Sequence, residues 1–189
     1  NLMKRMESSV YSFNLTLERI RSLITSTVQT IDAYDKHYSM KLDVLDASNV
    51  DDFDPDDQDS DDLFSFGKKF RIDIADMDYI TWRRTLQEDA EILELLTLMV
   101  GDITPKYDCK LQELLALLKN KVEHPINEGN QKIMIFTAFA DTADYLYANV
   151  APYMKQNFGL DTAMVTGNID GKTTVPSLPS DLNTVLTCF

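Results

Sequence analysis

Between Met3 and Ile31 an apolar side chain returns at every third or fourth position, at Met3, Met6, Val10, Phe13, Leu17, Ile20, Ile24, Val28 and Ile31. Residues so spaced share one face of an α-helix, which commits the opening of the chain to a long helix with a single apolar seam. The spacing is close to a coiled-coil repeat. The aromatic Phe13, Tyr34 and Tyr38 favour packing inside a helical bundle instead. One helix cannot bury its own seam, so other segments must supply the rest of a core.

Those segments are present. Met77 to Val100 carries the line Leu86, Ala90, Leu93, Leu96 and Val100, with Gly101 as a natural stop. Thr104-Pro105 reads as a helix start, a capping residue followed by a proline already set for the first turn. The face it predicts is Leu111, Leu114, Leu115, Leu118 and Val122, with Pro125 just beyond. Between the helices, Asp43 to Asp62 loses helical periodicity and predicts a solvated acidic loop, and "KKFRIDI" (Lys68 to Ile74) alternates as a short strand does. Residues 1–128 are therefore expected to be a mainly α-helical bundle.

The pattern then changes. "INEGNQ" (Ile126 to Gln131) is a polar linker, and "KIMIF" is apolar on both faces, as a strand inside a covered parallel sheet would be. The helix predicted next buries Leu146, Val150, Met154 and Phe158 and stops at Gly159; "DTAMVTG" (Asp161 to Gly167) follows as a second strand. The expected fold class is α/β overall: a helical bundle, then a truncated parallel β-α-β unit over residues 129–189. Beyond Gly167 only "TVLTCF" has strand-like composition.

The net charge of −13 argues against a nucleic-acid partner only until its distribution is considered. Eight of those charges come from "DDFDPDDQDSDD" (Asp51 to Asp62), so the acidity is largely a local insertion. Asp52, Asp54 and Asp56 have the odd-position spacing of a calcium loop, but Asp57 stands where glycine is required and Leu63 where glutamate is. Cys109 and Cys188 are far apart and lack metal-ligand companions, as do His37 and His124; no metal site is expected, and both thiols read as reduced. No apolar run reaches the roughly 20 residues of a membrane span, and "MESS" after Lys4 and Arg5 does not read as a signal peptide. A cytoplasmic protein without membrane partners is expected. The chain opens on Asn1 rather than Met, and we expect it to be a piece of something longer.

In a β-α-β unit the loop after the strand lies at the carboxyl end of the sheet, beside the unpaired N–H groups of the helix start. "KIMIFTAFADTADYL" resembles the opening strand and helix of the second RecA-like lobe of superfamily 2 helicase-like ATPases, particularly the Swi/Snf-type branch. The match falls on Lys132, Ile133, Ile135, Phe136, Thr137, Phe139, Asp141 and Thr142. "VTG" (Val165 to Gly167) sits where that family has its next strand and glycine turn. "LMKRMESSVYSFNLTL" (Leu2 to Leu17) resembles the run after the first lobe in bacterial members, at Lys4, Arg5, Glu7, Ser8, Ser9, Phe13, Thr16 and Leu17, and "DCKLQELLALL" (Asp108 to Leu118) resembles the helix leading into the second lobe.

The resemblance implies a fragment of an ATP-dependent translocase, with ATP and Mg²⁺ as cofactors of the parent protein and DNA as its track. It places Thr137, Phe139, Asp141, Thr142, Thr166 and Gly167 beside the nucleic-acid strand, in contact with backbone rather than bases. The catalytic parts are missing. "GNIDGKTT" (Gly167 to Thr174) has the wrong glycine spacing for a phosphate loop, no DExH-like motif follows a strand, and the last arginine is Arg84, ahead of the segment where the family's arginine finger lies. The fragment alone is expected to bind no cofactor and to be inactive. The competing expectation is a non-enzymatic helical interaction module whose acidic loop meets a partner.

Overall fold

The structure, a computed structural model, describes residues 2–36, 74, 77–167 and 171–189. The acidic run 51–62, its candidate calcium ligands, His37 and all of the expected strand 68–74 except Ile74 lie outside them. The elements are α1 (Leu2–Ser8), α2 (Val10–Lys36), α3 (Tyr79–Gly101), α4 (Cys109–Glu123), α5 (Ala140–Phe158), β1 (Ala163–Met164), β2 (Lys172–Thr173) and α6 (Leu182–Cys188). They fall into two compact units. One comprises Asn1–Leu2 and Phe13–Asp102; the other comprises Met3–Ser12 and Ile103–Phe189. The division expected near residue 128 falls inside the second.

In the first unit the seam of α2 is turned inward, with Phe13, Leu17 and Ile31 buried together with Ile74. Asp78 caps α3 by accepting from the Thr81 N–H at 3.1 Å, and the expected line Leu86, Ala90, Leu93, Leu96 and Val100 is half-buried. Arg83 and Asp32 form an ion pair at 2.5 Å, and Tyr34 meets Tyr79 edge-on at 5.5 Å between ring centres.

The seam does not run the full length expected of it. The helix breaks at Ser9, whose Oγ accepts from the Ser12 N–H at 3.0 Å and so caps α2. In α1, Met3 and Met6 face solvent while Arg5 is buried.

In the second unit α4 and α5 pack through Leu118, Val122, Val150 and Met154, with Leu114, Leu115, Ile133 and Phe158 around them. The start expected at Thr104-Pro105 is instead a turn, in which the Thr104 carbonyl accepts from the Tyr107 and Asp108 N–H groups. The helix opens at Cys109, because Asp108 Oδ1 accepts from both the Lys110 and Leu111 N–H groups at 3.0 Å. At the far end of α5, Gly159 takes the left-handed conformation (φ 68°), and its N–H and that of Leu160 return to the Lys155 and Met154 carbonyls.

The expected fold class is overturned here. Among the described residues the fold is mostly helical, its only sheet is the antiparallel pair β1–β2, and no parallel β-α-β unit forms. Ile133 to Thr137, read as a strand, pairs with no other strand among the described residues. A segment apolar on both faces becomes a strand only beside a neighbouring strand, and among the described residues none pairs with this one. Of "DTAMVTG" only Ala163–Met164 is strand, and it pairs antiparallel, not parallel, with Lys172–Thr173. Gly171 sits so close to the Ser180 carbonyl that a Cβ there would lie 2.0 Å from its oxygen. "TVLTCF" is likewise not a strand but most of α6, capped by Asp181 accepting from the Thr184 N–H.

Truncating the α4–α5 core should be costly, and truncating its outer face should not. Leu118→Ala is expected to lose about 2–5 kcal/mol in urea unfolding, and Leu117→Ala no more than about 0.5 kcal/mol.

Candidate functional site

The densest polar contact in the second unit joins α1 and the α1–α2 junction to the start of α5. Arg5, Ser9, Ser12, Asp141 and Thr142 are all buried, Ser12 completely. Arg5 Nη1 donates to Asp141 Oδ2 at 2.9 Å and to Ser12 Oγ at 3.2 Å. Its guanidinium carbon lies 4.7 Å from the centre of the Phe139 ring. Thr142 Oγ1 shares hydrogen bonds with Ser8 Oγ at 2.9 Å and Ser9 Oγ at 3.1 Å. Phe139 precedes α5 without a side-chain cap, so Asp141 in the first turn brings the negative charge that the helix N-terminus favours.

A second layer supports the first. Lys110 Nζ donates to the Glu7 and Ser8 carbonyls at the C-terminal end of α1, where a cation complements the helix dipole. Asp108 uses both oxygens: Oδ1 caps α4, and Oδ2 accepts from the Tyr145 hydroxyl at 2.9 Å. Tyr145 also stacks on Tyr11, with ring centres 5.0 Å apart. Burial, then the Asp108 carboxylate, pushes the Tyr145 phenol well above its ordinary range.

The residues singled out from the sequence divide accordingly. Phe139, Asp141 and Thr142 lie in this buried cluster, with their side chains engaged by α1 and its junction. Thr137 is exposed, and its hydroxyl bonds locally to the Phe139 N–H and carbonyl. Thr166 and Gly167 follow β1, half-buried and exposed respectively.

Arg5, Ser12, Asp108 and Tyr145 complete the cluster and were not singled out as site residues. Their signal was present: Arg5, Ser9 and Ser12 recur at four and three residues, a polar stripe beside the apolar seam.

Chemically, the cluster is a positioning device. Its carboxylates and hydroxyls hydrogen-bond one another rather than facing an open cavity. Among the described residues no group of His, Cys, Asp or Glu converges to hold a metal ion, both cysteines are free and exposed, and no helix is long and apolar enough to cross a membrane. No family model, curated protein or solved structure matches the chain.

Removing one member of the buried ion pair strands the other. Arg5→Ala should cost about 3–5 kcal/mol in urea unfolding, whereas Arg5→Met combined with Asp141→Leu should recover most of it. Tyr145 sets an alkaline limit. The folded state keeps its phenolic proton after the unfolded chain loses it near pH 10, so stability should fall as pH rises above about 10. Melting temperature against pH should show this decline, and Tyr145→Phe should flatten it.

Proposed function

We propose that this chain is part of an ATP-dependent, helicase-like translocase that moves along DNA, with ATP and Mg²⁺ bound elsewhere in the parent protein. One observation carries the reading. The three segments that resemble such enzymes, 2–17, 108–118 and 132–146, are joined: the matched Arg5 bonds to the matched Asp141, the matched Ser8 and Ser9 to Thr142, and Lys110 of the 108–118 segment to main-chain carbonyls at the end of α1. Independent chance similarities would have no reason to be joined in space. The support is this joining of matched residues, and it does not invoke a RecA-like sheet.

On this reading the cluster locks the start of α5 to α1, so that Thr137 and the backbone on either side of it move together with α1. Thr137, Thr166 and Gly167 would meet the nucleic-acid backbone, while Phe139, Asp141 and Thr142 hold the loop in place. The fragment itself lacks the groups that hydrolyse ATP.

The test uses the complete reading frame that contains this chain. Its product should hydrolyse ATP faster when DNA is added, the 189-residue chain alone should not, and Arg5→Ala in the full protein should lower the DNA-stimulated rate by about 10- to 100-fold through misplacement of the loop. A full product with no ATP hydrolysis, with or without DNA, would sink the proposal and favour the helical interaction module.

A further inference from the structure

We infer that Ser9 is the switch point of a two-state helix. While α1 is docked on α5 it is held apart from α2; when it is released, residues 2–36 join into one helix. The inference does not depend on the translocase reading and rests on which bonds break the helix. In an unbroken helix the Glu7 and Ser8 carbonyls would accept from the Tyr11 and Ser12 N–H groups. Here both carbonyls accept from Lys110 Nζ, and the Ser12 N–H donates to Ser9 Oγ at 3.0 Å. The Val10 and Tyr11 N–H groups have no partner among the described residues. Ser9 Oγ is itself held by Thr142 Oγ1 at 3.1 Å. The groups that dock α1 are therefore the groups that interrupt the helix.

The sequence does not break where the helix does. No proline or glycine lies between Leu2 and Lys36, and Met3, Met6, Val10, Phe13 and Leu17 keep their period across Ser9. The Ser9 N–H still donates to the Arg5 carbonyl at 2.9 Å, so α1 is helical up to the break. A break of this kind comes from a side chain inserted into the main-chain ladder, and the inserted side chain is Lys110. Withdrawing it restores the ladder.

Release exchanges bonds for bonds. The Glu7 and Ser8 carbonyls recover main-chain donors, while Arg5, Asp141 and the hydroxyls return to water. Little apolar burial is forfeited, because the buried side chains of residues 2–9 are Arg5 and Ser9, and Met3 and Met6 already face solvent. The α4–α5 core of Leu118, Val122, Val150 and Met154 contains no residue of α1 and is left whole. A rearrangement that trades bonds and spares the core costs less than unfolding, which is what makes an element bistable.

Amide hydrogen exchange on the 189-residue chain, resolved by nuclear magnetic resonance, reads the switch directly. In the wild type the Val10 and Tyr11 amides should exchange fast. Ser9→Ala combined with Lys110→Met removes the cap and the inserted ammonium and places a better helix former at position 9. In that variant exchange at Val10 and Tyr11 should slow by about 10-fold or more, and the Cα shifts of residues 8–10 should become helical. The Leu118 and Val150 amides should stay protected. Thr142→Val, which keeps the side-chain size and removes the hydroxyl that holds Ser8 and Ser9, should shift both readouts in the same direction, and it carries the test if the double variant does not fold. Wild-type Val10 and Tyr11 amides as protected as those of Leu17 and Ile31 would overturn the inference without any variant. Variants in which the two amides stay fast, whether α1 remains docked or comes apart, would overturn it as well.

Discussion

The second unit depends on a guanidinium and a carboxylate held 2.9 Å apart out of water, from residues separated by 136 positions in sequence. Charges taken from water are expensive, and the attraction between two of them offsets that expense only where the remaining donors and acceptors are also satisfied. Here they are. Ser12 accepts from the same Arg5 nitrogen, the Phe139 ring covers the guanidinium, and Thr142 engages two serines beside them. A polar joint of this kind contributes less to net stability than an apolar one, but it is more selective about alignment, because a shift of one residue would strand a charge.

The helices were legible because period and capping are local. The half-buried line of α3, the buried face of α4 and the Gly159 stop of α5 all follow from spacings within a single segment. The opening seam misled at its start for a related reason. Met3 and Met6 keep the apolar period, but burial is decided by what a face meets, and the face of α1 that meets α5 carries Arg5 and Ser8. Strands were least legible. "KIMIF" has the composition of one, but being a strand is a property of a pair, and no spacing within the segment shows whether a neighbour exists. Of the candidate site, Asp141 and Thr142 were visible as a helix start, but their partners lie 130 residues and more upstream, beyond the reach of any periodic signal.

Two kinds of surface coexist in the second unit. At the α1–α5 joint, polar side chains are buried and satisfied. Beside α4, apolar side chains and main-chain groups are left to water. The first is closed to further partners, and the second is open to them.

The order of the units along the chain has a consequence for synthesis. Residues 3–12 belong with residues 103–189, so the first unit is an insertion into the second. A ribosome adding about 5–20 residues per second releases Arg5 roughly 7–27 s before Asp141 exists. Throughout that interval α1 carries its arginine without its partner, while α2 and α3 can already form. Completion of the second unit is thus a late event that recruits a segment made 136 residues earlier. A chain cut short before residue 141 would keep the first unit and leave α1 undocked.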